Sequence, residues 1–112
     1  MPRLPESEKS FQAWLIEHAQ LSGWHVAHFK KVLIARPNGT KYWATPAVAD
    51  GPGFPDLVMV RDRVIFAEVK KMMGVRQPNQ VEWGDKLEAA GSEYYVWDPS
   101  DRDEIMLVLA KR

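Results

Sequence analysis

The stretch "GFPDLVMVRDRVIFAEVKK", residues 53–71, decides the fold of this chain. It contains two apolar runs, 57–60 and 63–69, that are separated only by a polar tip around Asp62. Runs of this length, rich in β-branched residues and joined by so short a connection, predict a β-hairpin. Their nearly continuous hydrophobicity is typical of strands that are covered on both faces, which predicts a position at the centre of a sheet.

Three charged residues interrupt this apolar hairpin. Asp56 begins the first strand and Glu68 lies near the end of the second, so both belong to the same end of the hairpin. The strand period of two puts Glu68 and Lys70 on one face and Val69 on the other. Two carboxylates beside a peptide carbonyl form a hard-oxygen site suited to Mg²⁺ or Mn²⁺. A neighbouring ammonium can orient a water or stabilise charge on a phosphate.

The alternative is that these charged residues only cap the ends of strands. Burying two like charges side by side is costly unless a cation or another partner compensates them. The apolar setting of Asp56 and Glu68 therefore favours a functional site.

The rest of the chain predicts an α/β protein with a mixed central sheet flanked by helices, in the approximate order αβββαβα. Ser7 is a candidate cap for the first helix, whose apolar positions are Phe11, Trp14, Leu15, Ala19 and Leu21. The Pro- and Gly-rich segment 36–55 predicts a long functional loop with a short strand near 41–44. The other predicted elements are a helix over 6–22, strands over 24–29 and 94–97, a helix over 78–90 that ends at Gly91, and a last helix capped by Ser100.

Composition limits the classes of function. The chain has 112 residues, which suits one domain over 1–112, and no cysteine, which excludes a thiolate zinc site, a thiol nucleophile and a disulfide framework. Neither a signal peptide nor a membrane span is expected, so the predicted location is the cytoplasm. Formal net charge is zero, yet no acidic residue lies between Glu17 and Asp50. This segment is either a basic face or an accidental run of charges on a solvated surface.

The hairpin resembles the core of the PD-(D/E)xK phosphodiesterases, with Pro55-Asp56 as the first half of the motif and Glu68-Val69-Lys70 as the second. Residues 6 to about 108 are similar, more narrowly, to a stand-alone VRR-NUC (virus-type replication-repair nuclease) domain of the kind found in phages. The matching segments are "SEKSFQAWLIEHAQLSGWHVAHF", "DGPGFPD", "QPNQVEWGDKLEAAG" with Gln80 and Trp83, and "YYVWDPSDRDEI".

The resemblance implies a role for each matching residue. Asp56 and Glu68 would bind the divalent metal, with the Val69 carbonyl as a third ligand, and Lys70 would position or activate the attacking water. Gln80 would join the active site from the start of its helix, or else be only a polar group at that helix end. Glu8 matches a glutamate that the family uses, although the helix dipole alone would favour it there. Less suitable substitutes for it are Glu6 and Glu17.

The candidates for DNA contact are one aromatic and six basic residues. Trp43, in the long basic loop, either stacks on a base or packs within the loop. The basic residues would contact phosphates without reading sequence. These six are Lys30, Lys31, Arg36, Lys41, Lys71 and Arg76. The histidines have no metal-ligand spacing and are interpreted as surface or structural residues. The other tryptophans, namely Trp14, Trp24, Trp83 and Trp97, are expected to fill the core.

Together these features predict a Mg²⁺- or Mn²⁺-dependent DNA endonuclease, and the resemblance implies that it acts on structured or branched DNA, such as four-way junctions or flaps. In a phage-encoded protein the location would be the host cytoplasm. Paired cuts by a chain with one active site would need a homodimer. The alternatives are a non-catalytic DNA-binding or interaction module of the same fold, and an RNA-directed nuclease, because phosphate contacts do not report the sugar.

Overall fold

The computed structural model describes residues 6–112, and its centre is a four-stranded mixed sheet in the order β1-β4-β5-β6. β1 pairs antiparallel with β4 and β4 with β5, whereas β5 and β6 are parallel and are connected through helix α2. The predicted mixed sheet and the central position of the hairpin, β4–β5, are thus confirmed. The bounds are α1 Glu8–Leu21, β1 His25–His28, β2 Val32–Ala35, β3 Lys41–Ala44, β4 Leu57–Val60, β5 Val64–Val69, α2 Pro78–Ala89, β6 Glu93–Trp97 and α3 Arg102–Ala110.

One face of the sheet packs against α1 and α3 to form the core. Strand alternation turns the odd-numbered residues of β4 and β5 towards these two helices. The fully buried core side chains include Phe11, Leu15, Leu57, Met59, Ile65, Ile105 and Leu109. Even-numbered positions such as Val58, Phe66 and Glu68 therefore face the opposite side, which α2 partly covers.

Two glycines, one in α2 and one in the loop before β4, allow α2 to pack closely against its neighbours. A Cβ on Gly84 would lie 2.5 Å from the ring of Tyr94, so only glycine lets α2 approach β6 this closely. Gly53 has φ +92°, and a Cβ there would lie 2.6 Å from the backbone of Asn79 in the first turn of α2. The glycine-rich loop before Asp56 is thus packed on the start of α2.

Two helix-start predictions have opposite outcomes. The Ser7 side chain accepts a hydrogen bond from the Ser10 amide at 3.0 Å, which confirms the cap of α1. Ser100 does not cap the last helix. A 3₁₀ turn at Pro99–Asp101 precedes α3, and Asp98 is the residue whose side chain accepts the Ser100 amide.

Some predicted core residues are also placed differently. Leu21 is exposed at the last turn of α1, beyond the apolar stripe that contacts the sheet. Trp24 and Trp97 lie in the core as predicted, whereas Trp14 and Trp83 are only half-buried. Trp83 packs edge-on against Phe54 outside the core, because α2 covers its face of the sheet incompletely.

A second, two-stranded sheet projects from segment 32–44. The predicted strand at 41–44 is β3, and it pairs antiparallel with β2, which the sequence analysis did not anticipate. Most side chains of this β2–β3 ribbon are exposed. The sequence of β2 therefore does not alternate between apolar and polar residues, which is the pattern that predicts a half-buried strand. The domain assignment over 1–112 and the prediction about a signal peptide also concern residues 1–5, which lie outside the described range. Within 6–112, no helix has both the length and the apolar character to cross a membrane.

Candidate active site

Asp56 and Glu68 meet across the two strands of the hairpin. The β4–β5 register pairs Leu57 with Ala67, and one further step along the strands sets Asp56 opposite Glu68. The amide of Val69 donates to Asp56 Oδ2 at 2.8 Å, which holds the aspartate side chain against the neighbouring strand. Asp56 is 4 % exposed and Glu68 is fully buried. The structure therefore brings together the two carboxylates that the sequence analysis singled out.

Gln80 connects Glu68 to Lys70. Its Nε2 donates to Glu68 Oε1 at 2.9 Å, and its Oε1 accepts from Lys70 Nζ at 2.9 Å. The amide of Gln77 also donates to Gln80 Oε1 at 2.7 Å, so the start of α2 holds the glutamine side chain in place. Lys70 Nζ itself lies 3.8 Å from Glu68 Oε1. The cluster Asp56, Glu68, Lys70 and Gln80 forms one buried polar group, called here the carboxylate cluster.

The second carboxylate oxygen of Glu68, Oε2, is buried without a hydrogen-bond partner. The pKa of Glu68 is raised from its ordinary 4.5 to about 9, mainly by burial and also by the adjacent Asp56 carboxyl, against the opposing effect of the Lys70 ammonium. A buried polar atom without a partner is rare in proteins and costs stability. The carboxylate cluster is therefore incomplete as a purely structural arrangement, and it accepts either a proton or an added cation.

The donor set of this cluster fits a hard divalent cation. An unpartnered buried carboxylate oxygen beside a second carboxylate is the kind of ligand that Mg²⁺ and Mn²⁺ prefer. Within residues 6–112, no group of three or more acidic, histidine or cysteine side chains is arranged around one point. The acidic part of the candidate site is accordingly a pair, and the Val69 carbonyl and Glu8 remain the candidates for further ligands.

A cavity of about 480 Å³ opens beside Asp56. Glu8 and Gln12 of α1 line it from one side, and Trp43 of the β2–β3 ribbon lines it from another. Lys30 and Lys31, between β1 and the ribbon, also line it. Asp56 is the member of the carboxylate cluster that reaches this space, which we call the Trp43 cavity.

The three glutamates considered for a metal role, at or beside α1, have different surroundings. Glu8 lies in the Trp43 cavity, where Lys31 Nζ approaches its Oε1 to 3.6 Å. Glu6 is instead bound to the Arg102 guanidinium, with both oxygens within 2.6 Å of Nη2, so it joins α1 to α3. Glu17 is exposed on α1. Of the three, Glu8 is the one that shares a cavity with Asp56.

The candidates for DNA contact fall into three groups. Lys30, Lys31 and Trp43 lie in the Trp43 cavity. Arg36 and Lys41 lie on the ribbon, where the Arg36 guanidinium stands 4.2 Å from the centre of the Tyr42 ring. The remaining two follow β5.

Lys71 is exposed, whereas Arg76 is half-buried and reaches the Tyr94 hydroxyl at 3.5 Å. Arg76 therefore has a structural contact within the protein, and Lys30, Lys31 and Trp43 are the candidates that share a cavity with Asp56.

Sequence analysis did not assign His28 and Phe29 to the site, although both line the Trp43 cavity. His28 pairs with Leu57, and the Phe29 amide donates to the Asp56 carbonyl at 2.9 Å. The end of β1 is thus adjacent to Asp56 because of the β1–β4 register. Both residues precede Lys30-Lys31 in the chain, but no local pattern specifies that register.

The chain was compared with descriptions of protein families, with curated proteins and with solved structures, and none of the three comparisons finds a match.

Proposed function

We propose that this protein is a divalent-metal-dependent endonuclease that hydrolyses phosphodiester bonds in structured or branched DNA. The observation that carries the proposal is the buried Asp56–Glu68 pair, with its unpartnered Glu68 oxygen, linked through Gln80 to the Lys70 ammonium. The proposal includes a PD-(D/E)xK core of the VRR-NUC type, which agrees with the mixed sheet and with the position of Asp56 and Glu68 on its two central strands.

In this proposal, Asp56 and Glu68 bind Mg²⁺ or Mn²⁺, together with the Val69 carbonyl and, from α1, Glu8. A bound divalent cation makes water a stronger nucleophile at neutral pH and offsets the negative charge of a phosphate. Asp56 keeps its orientation through the Val69 amide, so the two carboxylates are held in position before a substrate arrives.

Lys70 contributes a positive charge, and its hydrogen bond to Gln80 holds the ammonium group in one position. One of its three ammonium protons is used by Gln80 Oε1, and the others remain to orient a water or a phosphate oxygen. Gln80 acts as a positioning residue, since it holds Glu68 and Lys70 at once. Lys30, Lys31 and Lys41 are proposed to bind the phosphate backbone.

The deciding experiment combines cleavage with metal binding. Labelled single-stranded, duplex, flap and four-way-junction DNA are incubated with the protein in Mg²⁺, in Mn²⁺ and in chelator. We expect cutting with either metal and none in chelator. Asp56→Asn and Lys70→Met should be inactive, whereas Asp85→Asn and Lys86→Met, at exposed positions of α2, should cut as the parent does.

Titration with Mn²⁺ alone, followed by calorimetry, provides a second readout that needs no DNA. We expect binding by the parent and by Asp85→Asn, and a loss of binding in Asp56→Asn. Cutting by both active-site variants, or no cutting of any substrate with either metal, contradicts the proposal. A gel shift in chelator that survives Asp56→Asn, without any cleavage, would instead indicate a DNA-binding module.

The proposal also includes a homodimer, because symmetric cuts require two active sites. Sedimentation at the concentrations used for cleavage checks this part separately. A monomer with full activity on four-way junctions would remove the dimer from the proposal and leave the single-site chemistry intact.

A further inference from the structure

Trp43 differs from the other four tryptophans because no stacking partner for it is found among residues 6–112. Trp14 lies against His18 and Arg102, and Trp24 lies beneath two guanidinium groups. Trp83 packs on Phe54, and Trp97 stacks on Tyr95. Within residues 6–112, no aromatic ring or guanidinium covers the ring of Trp43, and the residue is 68 % exposed. A large flat apolar surface is therefore left open to solvent at this one position.

The β2–β3 ribbon directs Trp43 to a particular side. Trp43 is paired with Leu33 across the ribbon, and strand alternation turns Lys41 to the same face. Tyr42 belongs to the other face, where the Arg36 guanidinium covers it. The two exposed aromatic residues of the ribbon thus have opposite surroundings, since one is covered by the protein itself and the other is open.

The open face of Trp43 belongs to the Trp43 cavity, whose other walls carry the charges that a nucleotide needs. Lysines from α1 and from the β1–β2 connection, including Lys30 and Lys31, line it, and Asp56 connects it to the carboxylate cluster. Its volume of about 480 Å³ is within the range, roughly 300–1,000 Å³, of sites that take drug-sized ligands. The apolar Trp43 ring suits a base, the lysine ammonium groups suit its phosphate, and the nearby carboxylates suit a cation.

We infer that the Trp43 cavity binds one unpaired nucleotide of the substrate, with its base stacked on Trp43, next to the phosphate that is cut. This inference rests on the proposed function for the position of the cleaved bond, and it names the substrate class more closely. A base inside a duplex presents only its edge, so its flat face is available to an aromatic side chain only when the nucleotide is unstacked. The preferred substrates are then flaps, splayed ends and junctions with unpaired bases, rather than fully paired duplex.

Fluorescence of 2-aminopurine tests the inference independently of cleavage. The probe is placed in flap DNA at the first unpaired position, and in a matched oligonucleotide at a paired position. Binding is measured in chelator, in which no cutting is expected. With the parent protein we expect strong quenching at the unpaired position and little change at the paired one.

Trp43→Ala should abolish the quenching and weaken binding of flap DNA by about 5- to 150-fold, the range for loss of one base–aromatic stack. Binding of fully paired duplex should change less than about twofold. Trp43→Phe should keep part of the quenching, because a smaller ring still stacks. Tyr42→Ala, on the opposite face of the same ribbon, is the matched control and should behave as the parent does.

Three results would overturn the inference: unchanged quenching in Trp43→Ala, an equal loss of affinity for flap and paired DNA, or conversion of a dimer to a monomer by Trp43→Ala without any quenching in the parent. The last result would mean that a second copy of the chain covers the ring. Failure of the proposed function appears differently. If no substrate is cut with either metal while Trp43-dependent quenching is present, unpaired-nucleotide binding holds and the nuclease assignment fails.

Discussion

The charged residues at the two ends of the β4–β5 hairpin differ in how completely their hydrogen-bonding groups are paired. At the tip, Arg61 donates to the Ser22, Leu109 and Lys111 carbonyls at 2.6–3.0 Å, and Arg63 donates to Val108 O and Glu93. Both guanidinium groups also stand about 5 Å from the Trp24 ring. We call this the arginine end. Both guanidinium groups donate to carbonyls at the C-terminus of α3, where the helix dipole favours a cation.

The carboxylate end of the same hairpin is built differently. Asp56 and Glu68 place two carboxyl groups side by side, one Glu68 oxygen has no partner, and Lys70 reaches Glu68 mainly through Gln80. A region that only stabilises the fold would pair these groups as the arginine end does. The difference indicates that the carboxylate end keeps two adjacent buried carboxyl groups at the cost of stability, as binding and catalytic sites commonly do.

The largest expected effect separates activity from stability. Glu68→Gln removes a proposed metal ligand, so we expect cleavage to fall by about a thousandfold, equivalent to about 4 kcal/mol of transition-state stabilisation. Because the pKa of Glu68 is raised to about 9 in the folded protein, the parent must keep a proton on this carboxyl at pH 8, which costs stability. Glu68→Gln removes this cost, so the metal-free variant should unfold at higher urea concentration at pH 8 than the parent. Cleavage rates and urea unfolding measure the two effects. A Glu68→Gln variant that loses stability and keeps activity would contradict this prediction.

The arginine end should give the opposite pattern. Arg61→Ala removes the guanidinium that donates to the Leu109 and Lys111 carbonyls, and we expect the free energy of unfolding to fall by about 2 kcal/mol, the scale of one hydrogen bond from a charged group. Cleavage at a temperature where the variant is folded should match the parent. Arg112→Ala, at the exposed C-terminus, is the control. A loss of activity without loss of stability in Arg61→Ala would show that the two ends are coupled.

The stability of the carboxylate end should depend on pH, because the pKa of Glu68 is raised to about 9 in the folded protein from its ordinary 4.5. Between these values the unfolded chain loses the Glu68 proton and the folded chain keeps it. The contribution of Glu68 is thus full below pH 4.5 and falls as pH rises towards 9, by at most about 1.4 kcal/mol per pH unit.

Urea unfolding of the metal-free protein across this range measures the slope, with Glu68→Gln as the control that lacks it. Saturating Mn²⁺ should reduce the loss above pH 7, because a cation favours the ionised carboxylate. A slope that is the same in the parent and in Glu68→Gln would mean that another group titrates.

The smallest expected effect concerns the exposed pair between Lys31 and Glu8. The Lys31 and Glu8 side chains are each more than a third solvent-accessible. Lys31→Met should therefore change the free energy of unfolding by less than about 0.5 kcal/mol. Loss of one phosphate contact should lower the slope of log affinity for DNA against log salt by about 0.9. Destabilisation by more than about 1 kcal/mol would instead make Lys31 a structural residue comparable to Arg61.

Local patterns predicted most of the elements around this hairpin. The hairpin, α1 with its Ser7 cap, and α2 with its stop at Gly91 follow from periodicity, capping and turn residues, which act over a few positions. The same local reasoning failed at Ser100, where Asp98 is a better acceptor two residues earlier, and at β2, whose exposed residues carry no burial pattern. Leu21 has the spacing of a core residue but lies past the end of the packed interface.

The position of two carboxylates and a lysine at one end of a hairpin can be predicted from the sequence, because a strand period of two and one short turn are local properties. The surroundings of these residues depend on tertiary packing. The packing of α2 on Gly53 and Tyr94 brings Gln80 between Glu68 and Lys70, and the β1–β4 register brings Phe29 to Asp56. The open ring of Trp43 is likewise visible only once the ribbon is placed beside α1. Each of these depends on contacts between residues distant in the chain, which no local pattern specifies.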